Sequence, residues 1–280
     1  GGFFPKVPTF ASLGTFTPPD ATVDVRDRVN HFTGTERAVW SDRFVSESSV
    51  QVDFYKTTLI PQGPLPMELR PESAGGNFFN VQERTPSSLQ FVETLSGTYD
   101  GPFGLHLFKV GTDILRTHYQ GSSVSRPVLI YRGGSDGTNG TLIRRLDFSG
   151  PTDQDVTSTD VALFAQDRVQ SSPRWNLEYG VRLDRDGVID RWNLTPRAGT
   201  ALLLNESGTA ILRGGFGLFF ERTPSVAGAF TQFERTTDTR FAPDGVTVVG
   251  PPVTYAHVVP EDLSTARSAT WDVSLDYRFN

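Results

Sequence analysis

Between residues 156 and 222, apolar and polar side chains alternate at every position through successive segments joined by very short connections. In residues 175–184 one set is Trp175, Leu177, Tyr179, Val181 and Leu183, and the intervening set is Asn176, Glu178, Gly180, Arg182 and Asp184. A period of two is the signature of a β-strand with different surroundings on its two faces. Residues 271–280 repeat it, with Trp271, Val273, Leu275, Tyr277 and Phe279 opposite Asp272, Ser274, Asp276, Arg278 and Asn280. A strand of a soluble sandwich alternates in the same way, so strand length and repetition must identify the medium on the apolar side.

The alternation predicts strands near residues 37–46, 48–58, 88–99, 105–118, 126–132, 141–148, 157–169, 174–184, 193–204, 209–222 and 268–280. Several exceed the five or six residues usual in soluble sheets and reach the roughly 9–11 that cross a bilayer at a tilt. Short connections are expected at 47–48, 100–104, 170–173 and 205–208. Long Pro- and Gly-rich ones are expected at 59–87 and 223–267. If the strands run up and down, all the short turns fall on one side and both long loops on the other, which is the asymmetry of outer-membrane barrels. The parity requires residues 126–148 to form one complete hairpin turned through Gly133, Gly134, Ser135, Asp136 and Gly137; it can lie in the wall or project from an external loop.

Composition removes several classes. Mean hydropathy is −0.29 and 37% of residues are hydrophobic, so no run approaches the roughly 18 apolar residues of a membrane helix. A strand wall in lipid escapes this test, because half its residues face a polar lumen. The net charge of −6 disfavours nucleic acid as a partner. The absence of cysteine excludes disulfide scaffolds and thiolate metal sites. The N-terminal GGFFPKVPTF has no signal-peptide pattern, which suggests a processed chain or a fragment.

On the polar faces, Arg213, Gly215, Gly217 and Glu221 alternate with Leu212, Phe216, Leu218 and Phe220. Lys109, Gly111 and Asp113 sit opposite Phe108, Val110, Thr112 and Ile114. Small and charged residues on the inner side suit a wide barrel whose lumen admits water, a plug or a substrate. Trp175 and Trp192 stand at strand ends, where an interfacial aromatic girdle would place them.

No catalytic constellation emerges. His31, His106, His118 and His257 lack paired zinc-ligand spacing, there is no G-x-S-x-G elbow, and GGFGLFF lacks the context of a nucleotide loop. An enzyme is not expected, and no cofactor is implied. Asp184, Asp186 and Asp190 resemble part of a calcium loop but lack its terminal Glu, and the alternative is a polar loop between strands.

Several stretches resemble the β-barrel of TonB-dependent outer-membrane receptors, in particular the Oar-like type with a carboxypeptidase-regulatory domain. They are ALFAQDRVQSSPRWNLEYGVRLDRD, then NLTPRAGTALLL and AILRGGFGLFFERTP, with HLFKVGTDILRTHYQG and PMELRPESAGGNFFN upstream. The resemblance covers most of residues 45–280. It implies an all-β, antiparallel, up-and-down transmembrane barrel in the bacterial outer membrane, with short periplasmic turns and long external loops. In complete receptors roughly 22 strands surround a plug domain. Residues 1–280 are then one partial barrel domain, about half of that wall, with neither plug nor TonB box and with the character of an internal piece. The implied partners are outer-membrane lipid, the TonB complex acting through a plug outside this chain, and a scarce solute: a siderophore, cobalamin, a glycan or a peptide. Ligand contacts are expected from the long loops, at Arg70, Asn77, Phe78, Phe79, Arg235, Arg240 and Tyr255. The alternatives are a passive porin-like channel and a soluble or surface-displayed β-sandwich adhesin.

Overall fold

The computed structural model describes residues 17–133, 140–260 and 263–279. The N-terminal GGFFPKVPTF and most of the expected hairpin turn at 133–137 lie outside these residues. The alternating runs form strands, with two corrections: the strand expected at 37–46 is divided by a turn at 40–43, and the connection expected at 59–87 contains a short wall strand at Asn80–Arg84. A ten-stranded antiparallel sheet contains β1 (Val23–Val39), β2 (Phe44–Pro61), β5 (Asn80–Arg84), β6 (Ser87–Gly101), β7 (Gly104–Ser125), β10 (Asp153–Ser172), β11 (Trp175–Asp186), β12 (Arg191–Leu203), β13 (Ala210–Phe220) and β16 (Arg267–Tyr277). β5 and β6 lie end to end between β2 and β7. The break is at Pro86, which has no amide proton to give the ladder; its carbonyl accepts from the Tyr55 amide at 2.9 Å.

A second sheet of six strands is built entirely from the long connections: β3 (Met67–Leu69), β4 (Ala74–Gly76), β8 (Val128–Arg132), β9 (Thr141–Ser149), β14 (Arg235–Arg240) and β15 (Val253–Tyr255). Its order is β15-β14-β9-β8-β3-β4, with β3 parallel to β8. The hairpin around residues 126–148 therefore projects from the wall and joins the segments 59–87 and 223–267.

The wall strands meet at one end through residues 40–43, 102–103, 173–174 and 204–209, three of which match the expected short turns. The fourth expectation, a turn at 47–48, is corrected: Glu47 is inside β2, opposite Arg37 on one side and Thr94 on the other. At the opposite end only residues 187–190 make a short connection. Two glycines make close approaches there and at the short-turn end. A Cβ on Gly104, whose φ is +128°, would stand 2.1 Å from the Gln170 carbonyl, and one on Gly187 would stand 2.3 Å from that of Thr159.

Directly paired residues share a face, so the register sorts every wall residue. Leu163, Leu183 and Leu194 fall together, as do Ala165, Val181 and Pro196, while Arg182 joins Phe164 and Thr195. The apolar face is not clasped against anything, even in the interior strands: Leu163 is 51% exposed, Leu194 55% and Phe216 50%. Among the described residues, the largest fully buried side chains are Gln154 and Asp238, both polar. A sandwich with a dry centre would bury the leucines, valines and tryptophans instead, so the sandwich alternative fails. Among the described residues, no helix is long and apolar enough to cross a membrane.

Candidate functional site: the bore face and the mouth

Charges on the polar face of the wall are tied to one another across strands. Arg182 donates to Asp184 at 2.7 Å and to Asp113 at 3.3 Å, and Asp113 also accepts from Gln90 at 2.7 Å. Arg168 and Gln166 both donate to Glu178 at 2.7 Å, and Arg213 pairs with Asp276 at 2.6 Å. Hydrogen-bonded pairs of this kind hold long side chains flat against the wall. Beside them lies an open hollow of about 540 Å³, lined by Arg168, Glu178, Arg197, Gly199, Gly215 and Asp272. The glycines here have different uses. A Cβ on Gly199 would meet only the Gly214 carbonyl at an ordinary contact distance of 3.7 Å, whereas one on Gly111 would strike the Phe164 ring at 2.6 Å, and one on Gly217 the Phe219 ring at 2.6 Å. The polar face therefore also carries aromatic rings laid over glycines.

At the long-loop end, a short helix α1 (Ser225–Gly228) and the turn after it fold back onto the rim of the wall. Gln154 is 2% exposed and donates to the carbonyls of Thr152 (2.8 Å) and Gln232 (3.1 Å), while Gln232 accepts from the Asp155 amide at 2.7 Å. This anchoring shapes a second hollow, of about 510 Å³, lined by Phe148, Val226, Phe230, Phe233 and His257 with Ser123, Ser125, Glu234 and Thr236. Ser123 and Ser125 belong to the bore-facing set of β7, so the hollow opens toward the lumen. The His257 ring meets Phe230 edge-on at 4.7 Å and its Nε2 lies 3.0 Å from the Glu234 carbonyl; Glu234 accepts from the Ser125 amide at 2.7 Å. The result is an apolar, aromatic cup with a few oriented polar groups, the usual make-up of a small-molecule site.

The expected contact residues divide. Phe79 stacks on Phe148 at 5.6 Å and touches Phe78 at 5.0 Å, which brings both to the back of the aromatic cup. Arg70 is occupied in the scaffold: it pairs with Glu68 at 2.7 Å and lies 4.8 Å over the Tyr131 ring. Asn77 is buried, accepting from the Leu65 amide at 2.9 Å and donating to the Asp20 carbonyl at 2.8 Å. Arg235 and Tyr255 are exposed at the same end of the β14–β15 pair, where Tyr255 stands opposite Thr236, and Arg240 lies 3.6 Å from Asp238. Phe148, Phe230, Phe233 and His257 were not among the expected contacts. The available signal was FTQFE in the loop, where two phenylalanines three apart have no sheet face to fill.

The three aspartates do not converge. Asp184 faces the bore beside Arg182; Asp186 accepts the amides of Val188, Ile189 and Thr223; Asp190 pairs with Arg185 at 2.7 Å. Among the described residues no three His, Cys, Asp or Glu side chains gather as a metal site would require. In the external sheet, Asp238 is 2% exposed and accepts two bonds from Arg144 at 3.1 and 2.8 Å. These bonds, with the charges of Arg144 and Arg240, hold its carboxyl below the usual range. Burial pushes the Tyr131 phenol up.

A long-stranded antiparallel wall with an apolar side, a charged side, short turns at one end and a folded cap at the other defines an outer-membrane β-barrel. The sequence matches the family described as TonB dependent receptor-like, beta-barrel, over residues 5–280, and the chain belongs to that family. Its fold is similar to that of the outer membrane transporter YddB from Escherichia coli, with a TM-score of 0.58 at 12% identity over 80% of this chain. It is also similar to the siderophore receptor PirA from Acinetobacter baumannii, with a TM-score of 0.53 at 11% identity over 91% of this chain. The chain spans 32% of the first structure and 43% of the second. No curated protein matches the sequence. Localisation in the bacterial outer membrane follows from the family and the fold.

Proposed function

We propose that this chain forms part of the wall and the solute-capturing mouth of an outer-membrane receptor for energised uptake. The observation that carries the reading is the aromatic cup of Phe148, Phe230, Phe233 and His257, held by three loops over the bore-facing end of β7. A passive pore needs an unobstructed lumen, whereas a receptor needs a shaped external site that leads inward. Energy is delivered in this reading by the TonB complex, acting on a plug domain outside this chain. The solute is a siderophore, cobalamin, a glycan or a peptide, and the likeness to a siderophore receptor makes a ferric chelate the first to try.

The test uses cells that depend on the complete receptor, given a panel of ferric siderophores and cobalamin with and without a protonophore. Uptake of one solute that stops when the proton gradient collapses supports the reading. Losing two aromatic contacts, in F230A/F233A, is expected to weaken binding on the order of tenfold. Flux that continues without the gradient overturns the reading in favour of a porin-like channel.

A further inference from the structure

The chemistry of the aromatic cup narrows what it can hold. Phe148 of β9, Thr236 of β14 and Tyr255 of β15 form one cross-strand row, so all three stand on the same face of the external sheet. Phe148 and Thr236 line the hollow together with Phe230, Phe233 and His257, and Tyr255 continues the row at its border. Among the described residues that line the cup there is no lysine or arginine, and its one carboxylate belongs to Glu234. Ring faces carry the negative end of the aromatic quadrupole, so an aromatic hollow with an acid and no strong base attracts a cation.

Nearby cations are turned away or already committed. Arg235 pairs with Ser149, one position along from the Phe148–Thr236 pair, and so stands on the other face of the sheet. Arg126 donates to the Gly63 carbonyl at 2.5 Å, and Arg144 is held by Asp238 at 3.1 and 2.8 Å. The amides that an anion would need are also taken: that of Ser125 by Glu234 and that of Asp155 by Gln232, both at 2.7 Å. Acceptors, in contrast, are in excess. His257 Nε2 lies 3.0 Å from the Glu234 carbonyl; a carbonyl only accepts, so this nitrogen carries the proton, and Nδ1 of the neutral ring is an acceptor. Asn80 of β5 is 4% exposed and donates to the Ser123 and Ser125 hydroxyls at 3.0 and 2.9 Å, while its Oδ1 is buried without a partner.

We propose that the cup recognises a protonated amine carried on an apolar or aromatic body, the ammonium pairing with Glu234 and lying against the rings of Phe230 and Phe233. The inference rests on the reading of the cup as the site of capture, and it names the chemistry that the site selects. Within the solutes of that reading it favours a peptide amine, or a ferric chelate bearing a free amine, over an anionic chelate.

Saturation-transfer NMR of the complete receptor in detergent, titrated with tyramine, N-acetyltyramine and phloretate, reads this directly. The three probes share a phenol body and are cationic, neutral and anionic. Tyramine is expected to bind on the order of tenfold more tightly than N-acetyltyramine, and phloretate more weakly than either. Glu234→Gln keeps an oxygen for the Ser125 amide; it should lose about tenfold for tyramine and stay within about twofold for N-acetyltyramine, a split that a purely structural role would not produce. If that variant does not assemble, F230L/F233L keeps the apolar bulk without the ring faces and should cost tyramine about fivefold, more than it costs N-acetyltyramine. Binding needs no proton gradient, so the result is independent of the uptake assay. Equal or tighter binding of the neutral or anionic probe, lost in F230A/F233A, overturns amine selection and leaves the capture site standing. Probes whose binding is absent, or unchanged in F230A/F233A, overturn both.

Discussion

Replacing Asp238 by Asn removes the charge that holds the external sheet in register. Asp238 lies on β14, and two positions along, Arg240 stands directly opposite Arg144 of β9. The carboxylate accepts both guanidinium bonds from Arg144 and lies 3.6 Å from Arg240, so it neutralises a like-charge cross-strand pair. Breaking a fully buried ion pair costs about 3–5 kcal/mol and an exposed one about 0–1. Asp238 is buried but the Arg144 side chain is 42% exposed, so solvent screening sets the cost between these limits, at about 2 kcal/mol. Native-state amide exchange of the complete receptor should then show roughly 30-fold faster exchange in residues 235–240 and 144–149, with β10 and β11 unchanged. The sign with pH follows from the lowered carboxyl. The stability it adds is complete above the ordinary value near 3.9, and is lost as pH falls through the lowered folded value. Protection of the external sheet is flat down to about pH 4 and falls below it, and the Asn variant lacks that fall. Unchanged exchange in both segments, or a loss spread through the wall, would refute the reasoning.

Other outcomes follow from the same structure. Val181→Lys puts an ammonium on the outward face between Ala165 and Pro196, and should cost about 2–4 kcal/mol in urea unfolding from lipid vesicles, whereas Arg182→Lys one position along costs far less. Gly187→Val drives a side chain into the Thr159 backbone, and should lower the unfolding temperature and loosen the β11–β12 turn, read as faster exchange of residues 186–191. Arg70→Ala removes the contact over Tyr131 and the Glu68 pair; it should raise protease cleavage within residues 62–79 while leaving solute affinity within about twofold, because the side chain serves the scaffold.

The strands β10 to β13 were legible because their outward faces are apolar with few breaks, so lipid contact writes a period of two directly into the sequence. β1 was mostly missed for the converse reason. Its outward set includes Asp24, Arg26, Arg28, Asn30, Gly34 and Glu36, which leaves little alternation to find. The Ser-rich stretch around Glu47 and Ser48 has turn-like composition, yet ladders on both sides hold it as strand. The external sheet could not be read at all, since its pairings join distant segments: Met67 to Val128, and Asp147 to Thr237. Local propensity carries no information about such partners. For the mouth, loop membership and chemical type drew attention to Arg70 and Asn77, which packing then assigned to the scaffold. Phe230 and Phe233 owe their place to Gln154 and Gln232, an anchoring visible only in three dimensions.

The central claim is that alternate residues of one strand meet hydrocarbon and water. The chain has no cysteine, so Val181→Cys, Arg182→Cys, Leu183→Cys and Asp184→Cys can each carry one nitroxide in the complete receptor, reconstituted in lipid vesicles. Collision rates with oxygen and with a water-soluble nickel chelate then report the medium at each position. The account predicts high oxygen and low nickel collision at 181 and 183 and the reverse at 182 and 184; equal access of nickel to all four positions would contradict it.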